Sequence, residues 1–166
     1  MDLLAKYTSL FTLLTVIVGW IVVNWQNNNR EERKEVRSSL SDVLEEITKL
    51  EDDAIEYHTA ASRSTTIEKN ITKLITRLSS KVRHLRLESG KLNKLFIRFK
   101  QAITLDNFET SRFVTQGLDS EILELIGMYS EQLQDELESE FSRSFRAPFF
   151  YRLASAIRRF WIWCKP

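Results

Sequence analysis

A single cysteine, Cys164, stands in a chain of 166 residues. That scarcity excludes an intramolecular disulfide framework, a CxxC redox pair and any multi-cysteine zinc site. Four glycines and two prolines leave no room for a glycine-rich phosphate cradle or a turn-rich β-sandwich, and no GxGxxG, GxxxxGK[ST] or GxSxG occurs. The two histidines, His58 and His84, have no HExxH or Glu-x-x-His neighbour, so zinc and di-iron bundle sites lack their ligands. Beside Asp52, Asp53 and Glu56, His58 reads as a helix-end histidine rather than a metal ligand. Carboxylates such as Glu45, Glu46, Asp135 and Glu136 fall mostly off the apolar seams, as solvated groups do. The expectation is a non-enzyme with no cofactor and no metal. Charge of one sign is also missing overall: 24 Lys plus Arg face 23 Asp plus Glu, a net of +1, with a mean hydropathy of −0.27. Ten phenylalanines, with charged residues held to 28%, nonetheless leave enough apolar surface to oppose wholesale disorder.

What is present begins at the N-terminus. Residues 7–25, YTSLFTLLTVIVGWIVVNW, form an uncharged run of nineteen. At 1.5 Å per residue this run just reaches across a hydrocarbon core of roughly 30 Å. Tyr7 at one end and Trp20 and Trp25 toward the other match an aromatic belt at the membrane interface. The competing readings are a cleavable signal peptide, opposed by the length of the run and the lack of a small-x-small cleavage site, and a buried helix. Lys6 precedes the run, and Arg30, Arg33, Lys34 and Arg37 follow it. The positive-inside rule then predicts a single-pass bacterial inner-membrane protein with its N-terminus outside and its later residues cytoplasmic. Thr8, Thr12, Thr15 and Gly19 share one helical face, and small residues there would let two membrane helices associate; incidental small residues facing lipid are the other reading.

Beyond the run, Val36, Leu40, Val43, Ile47, Leu50, Ala54 and Tyr57 recur in steps of four and three, a heptad seam within one helix over 30–57. The stretch HTAASRSTT interrupts it, and Thr65-x-x-Glu68 has the form of a capping box. A second helix follows with Ile67, Ile71, Leu74, Leu78, Val82 and Leu85, stopping near Gly90. Leu92, Leu95, Phe96, Phe99 and Ile103 mark a third. Residues 104–117, TLDNFETSRFVTQG, read as an irregular connection whose Phe108 and Phe113 pack onto the bundle. Asp119 or Ser120 then caps a helix carrying Ile122, Ile126, Tyr129, Leu133, Leu137, Phe141 and Phe145. No strand-length alternation occurs, so the expected class is all-α: a transmembrane helix over 1–29, an antiparallel helical bundle or coiled coil over 30–147, and an amphipathic segment over 148–166.

Charge is blocked along this chain. Residues 30–64 sum to −4, 65–105 to +8, 106–140 to −9 and 141–166 to +6. A basic helix between two acidic ones sets helix pairing, because exposed pairs contribute only about 0–1 kcal/mol each. The alternative use of that helix is contact with a partner or with nucleic acid through Lys69, Lys73, Arg77, Lys81, Arg83 and Arg86, extended by Lys91 and Lys94. No nucleic-acid-reading motif accompanies these residues, and no aromatic side chain alternates with them in the sequence.

The last nineteen residues, PFFYRLASAIRRFWIWCKP, place Phe149, Phe150, Phe160, Trp161 and Cys164 on one helical face. Arg152, Arg159 and Lys165 stand opposite, with Arg158 nearby, and Trp163 close to the end. Basic charge facing aromatic residues is the pattern of an interfacial helix on anionic lipid. The alternatives are a final core helix and a second, inserted span. Expected partners are therefore the lipid bilayer and a second copy or another protein, with nucleic acid a weaker candidate.

The layout resembles a loose group of small bacterial inner-membrane proteins. They have one N-terminal span, a polar basic exit such as NNNREERKEVR, and a helical domain with a segment like ITLDNFET before another long helix. Some proteins of this layout resemble membrane effectors of antiphage defence, including retron and other abortive-infection systems. The resemblance implies a membrane-perturbing toxin component released by an infection cue. The residues alone support a second expectation, an anchored helical scaffold or adaptor recruiting a protein or ribonucleoprotein partner.

Overall fold

A computed structural model describes residues 2–87, 89–105 and 107–146, with side chains given from residue 11 to residue 145. Four helices account for most of it: α1 (Asp2–Thr59), α2 (Thr65–His84), α3 (Gly90–Thr104) and α4 (Glu121–Arg146). Among the described residues there is no strand, and the expected all-α class holds. The chain divides into two compact units, Met1–Ser38 and Ser39–Pro166.

In the first unit α1 is free of proline, and its one glycine, Gly19, costs a helix too little to break it. The side chains of residues 11–23 are largely exposed, Phe11, Val16 and Trp20 above all. Among the described residues no helix is long and apolar enough to cross a membrane. This overturns the transmembrane anchor expected over 1–29 and, with it, the single-pass inner-membrane placement with an external N-terminus. The Thr15 hydroxyl donates to the Phe11 carbonyl of its own helix (2.9 Å), and the space around Gly19 is open. Trp20 is exposed and Trp25 half-buried. The side chains of Tyr7 and Thr8 lie outside the described residues. So do Phe149, Phe150, Arg152, Arg158, Arg159, Phe160, Trp161, Trp163 and Lys165, and with them the interfacial segment over 148–166.

The second unit is built as the heptad pattern anticipates. Leu40, Val43, Ile47, Leu50, Ala54 and Tyr57 of α1 are all buried, with Val36 half-buried at the start of the seam. The six buried residues from Leu40 to Tyr57 share one core with Ile71, Ile75, Leu78 and Val82 of α2, Leu92, Leu95, Phe99 and Ile103 of α3, and Ile126, Leu133 and Leu137 of α4. Each Leu-sized side chain fully buried contributes roughly 1.5–3 kcal/mol. Ile75 takes the core position that the periodicity assigned to Leu74, which is half-exposed.

The helix ends also differ from expectation. Ser64, not Thr65, caps α2: it is extended, and its Oγ accepts from the Ile67 backbone N–H (3.4 Å). α2 stops at His84 rather than at Gly90, because Arg86 turns the chain in the left-handed region (φ 53°), a place usually filled by glycine. Gly90 instead opens α3, with Ser89 as its N-cap.

Contacts in this unit fix the order of the helices around the core. Glu46 of α1 meets Arg77 and Lys81 of α2, while Tyr57 meets Glu68, so α1 and α2 run antiparallel. α2 and α3 share a cleft in which Ser79 and Arg83 face Phe96 and Asn93. α3 packs on α4, with Lys91 reaching Glu136. α4 returns to α1 where Gly127 lies beside Glu51, whose Oε1 would stand 3.6 Å from an added Cβ. The two acidic helices are thus neighbours on one flank, and the two basic helices are neighbours on the other.

Candidate functional site

Two groups of polar residues stand out, and they differ in what they leave available. The first lies where α1 ends, α2 begins and the connection over 105–120 folds across both. Residue types alone would nominate it as catalytic: Tyr57, His58, Arg63, Glu68 and Asn107. Arg63 holds Glu68 through two bonds, Nε to Oε1 at 2.6 Å and Nη2 to Oε2 at 2.9 Å, and its Nη1 donates to the Thr110 carbonyl at 2.9 Å. The Tyr57 hydroxyl stands 2.6 Å from Glu68 Oε1 and 2.8 Å from the Asn107 carbonyl, so its one proton has two acceptors. The Arg63 guanidinium, assisted by Tyr57, outweighs burial and holds the Glu68 carboxyl down to about 2. Burial, then the Glu68 charge, pushes the Tyr57 hydroxyl above its ordinary value.

His58 is fully buried in the last turn of α1. Its Nε2 is 2.8 Å from the Ile103 carbonyl, which only an N–H can serve. Its Nδ1 therefore accepts from the Asn107 amide at 3.1 Å, and the ring is the neutral Nε2–H tautomer. These partners are not the carboxylates beside it in the sequence. The Asn107 amide also donates to the Val114 carbonyl (2.8 Å), and its Oδ1 accepts the Val114 N–H (3.1 Å). The Gln116 N–H reaches the His58 carbonyl and the Thr115 hydroxyl the Ala60 carbonyl. Phe108 and Phe113 meet the Tyr57 ring edge-on at 4.9 and 5.4 Å between centroids, as the sequence pattern anticipates. Every one of these polar groups is turned onto another protein group. The arrangement is a clasp that pins the connection to the bundle, and it presents no nucleophile–base pair to a substrate.

The second group is the basic flank. Of the six residues singled out in the sequence, Arg77 and Lys81 converge on Glu46, where their hydrogen bonds outweigh the upward push of burial and keep its carboxyl below the usual value. The other four are exposed and make no ion pair with a described residue. Lys69 and Lys73 border a cleft of 560 Å³ with Thr72, Thr76 and Phe108. Arg83 and Arg86 border another, of 450 Å³, with Asn93 and Phe96. Sequence reasoning missed Arg98 and Lys100, which, with Lys94, are exposed cations of α3 that make no ion pair with a described residue. It also placed no aromatic among the cations; Phe96 of α3 lines one cleft with Arg83 of α2 and Lys100 of its own helix. Lys91 is committed elsewhere, to Glu136, whose carboxyl that contact holds below its ordinary range despite burial.

Among the described residues no cluster of three or more His, Cys, Asp or Glu side chains is placed to hold a metal ion. No family model, no curated protein and no solved structure matches the chain.

Proposed function

We propose that this chain is a non-catalytic helical adaptor that works by docking acidic protein surfaces on its α2–α3 flank. The observation that carries the reading is the contrast in how charge is used. Buried ionisable groups close onto one another, whereas Lys69, Lys73, Arg83, Lys94, Arg98 and Lys100 stand exposed without an ion-pair partner among the described residues. Unpaired cations on one flank add little to folding stability, since even a formed exposed pair is worth about 0–1 kcal/mol. Gathered on one flank they create a field that attracts and orients an anionic partner. A shallow, hydroxyl-lined cleft between α2 and α3 suits an extended or helical protein surface better than a small substrate. The membrane-effector reading needs a spanning anchor and the segment over 148–166, so it draws no support from the bundle.

The test uses the full chain and a labelled polyglutamate peptide as the acidic probe. Fluorescence anisotropy should report binding at low salt that weakens steeply as salt rises, and that is lost in the triple variant Lys69→Glu, Lys73→Glu, Arg83→Glu. Equal binding by that variant, or no binding by the wild type at low salt, would defeat the reading.

A further inference from the structure

The opposite flank of the bundle has a charge pattern that complements the first. Residues 39–59 of α1 hold seven acidic residues and one basic, and α4 holds seven acidic and two basic. α2 and α3 together hold nine basic residues and one acidic. Of the acidic groups, Asp42, Glu45, Asp52, Glu121, Glu124, Glu131 and Asp135 are exposed and form no ion pair with a described residue. On α4 the exposed positions 121, 124, 128, 131 and 135 advance in steps of three and four, so they form one outer ridge directly behind the core face. At its centre is Met128, 40% exposed between Glu124 and Glu131. The outward face of α3 mirrors this, with Ile97, 54% exposed, flanked by Lys94 and Lys100.

We infer that this chain binds a second copy of itself head to tail, the acidic α4 ridge of one copy seating on the basic α2–α3 flank of the next. The inference rests on the adaptor reading and names the acidic surface that the flank takes. A large apolar side chain ringed by charge on each side is the anatomy of a specific interface, with a dry centre and a polar rim. Two such patches of opposite sign, on different faces of one bundle, give a heterologous contact. That contact closes into a ring or extends into a filament according to the rotation between copies. Nucleic acid is the weaker occupant: the whole chain carries only +1, and the acidic flank would repel a phosphate backbone that the basic flank attracts.

The experiment compares the full chain with two triple variants by sedimentation velocity. One has a reversed basic flank (Lys94→Glu, Arg98→Glu, Lys100→Glu), the other a reversed acidic ridge (Glu124→Lys, Glu131→Lys, Asp135→Lys). Wild type should self-associate at about 50 mM salt and dissociate at least tenfold more readily at about 500 mM, where the screening length falls to a few ångströms. Each variant alone should lose that salt-sensitive step, and an equimolar mixture of the two should regain it, which also shows that both are folded. Self-association that neither salt nor either reversal changes would overturn the inference, as would a mixture that stays dissociated. A labelled single-stranded RNA bound tightly by wild type, with no salt-sensitive self-association, would assign the flank to nucleic acid instead. If self-association fails while polyglutamate still binds the basic flank, the adaptor reading stands and only the second copy is excluded.

Discussion

The clasp around Tyr57 and the outer flanks use the same residue types to opposite ends. In the clasp, Arg63, Glu68, Tyr57, His58 and Asn107 each find partners within the chain, with bonds of 2.6–3.1 Å. On the flanks, apart from pairs such as Arg77 and Lys81 with Glu46, cations and anions of the same kinds stand apart on different helices. Burial explains the difference. An unsatisfied polar group costs about 1–3 kcal/mol inside but almost nothing in water, so only the interior forces closure. The flanks are free to keep charge for contacts beyond the chain.

The largest expected effect comes from breaking the clasp at its most connected residue. Asn107→Ala leaves His58 Nδ1 and the Val114 N–H without their partner, while the Val114 carbonyl keeps only the Gln116 side-chain amide. It should lower the free energy of unfolding in urea by about 2–3 kcal/mol. A loss under about 0.5 kcal/mol would mean that the connection over 105–120 is not held there.

Acid should sharpen the same contrast. The folded Glu68 carboxyl lies at about 2, well below its ordinary 4.5, so its contribution is complete above 4.5 and is lost as pH falls from there toward 2. Glu68→Gln should flatten that part of the stability–pH curve while lowering stability at neutral pH. Identical acid profiles for wild type and variant would contradict the assignment.

How much of this was legible in the chain differs between the two regions, for a physical reason. Helical periodicity reports which side chains face inward, so the seam from Leu40 to Tyr57 and the packing of Phe108 and Phe113 were readable. Charge blocks along the sequence became flanks because the acidic blocks each hold one bundle helix and the basic block 65–105 holds two consecutive ones, α2 and α3. The clasp was not readable, because its members come from three segments and Asn107 lies 49 residues from His58. Glu68 looked like the last residue of a capping box; only in three dimensions does Arg63 claim it. The apolar run was misread for another reason. Hydropathy weighs a stretch by itself, and among the described residues no helix is long and apolar enough to cross a membrane.

Smaller effects test local backbone rather than charge. Arg86→Gly relieves a left-handed conformation imposed on a side chain (φ 53°) and should stabilise the fold by about 1 kcal/mol in thermal unfolding. Gly127→Ala on α4 adds a methyl group at ordinary contact distance, 3.6 Å from Glu51 Oε1. It should gain about 0.5–1 kcal/mol through helix propensity. Destabilisation by either change would mean that the helix end or the α1–α4 approach is tighter than these distances allow.

The smallest expected change in stability, and the most direct test of the division of labour, is a reversal on the basic flank. The double variant Lys73→Glu, Arg83→Glu should be measured for unfolding in urea and for polyglutamate binding on the same preparation. Stability within about 0.5 kcal/mol of wild type, together with loss of binding, is the predicted result. A loss of about 2 kcal/mol or more, or binding that survives the reversal, would contradict the claim that this flank serves contacts rather than the fold.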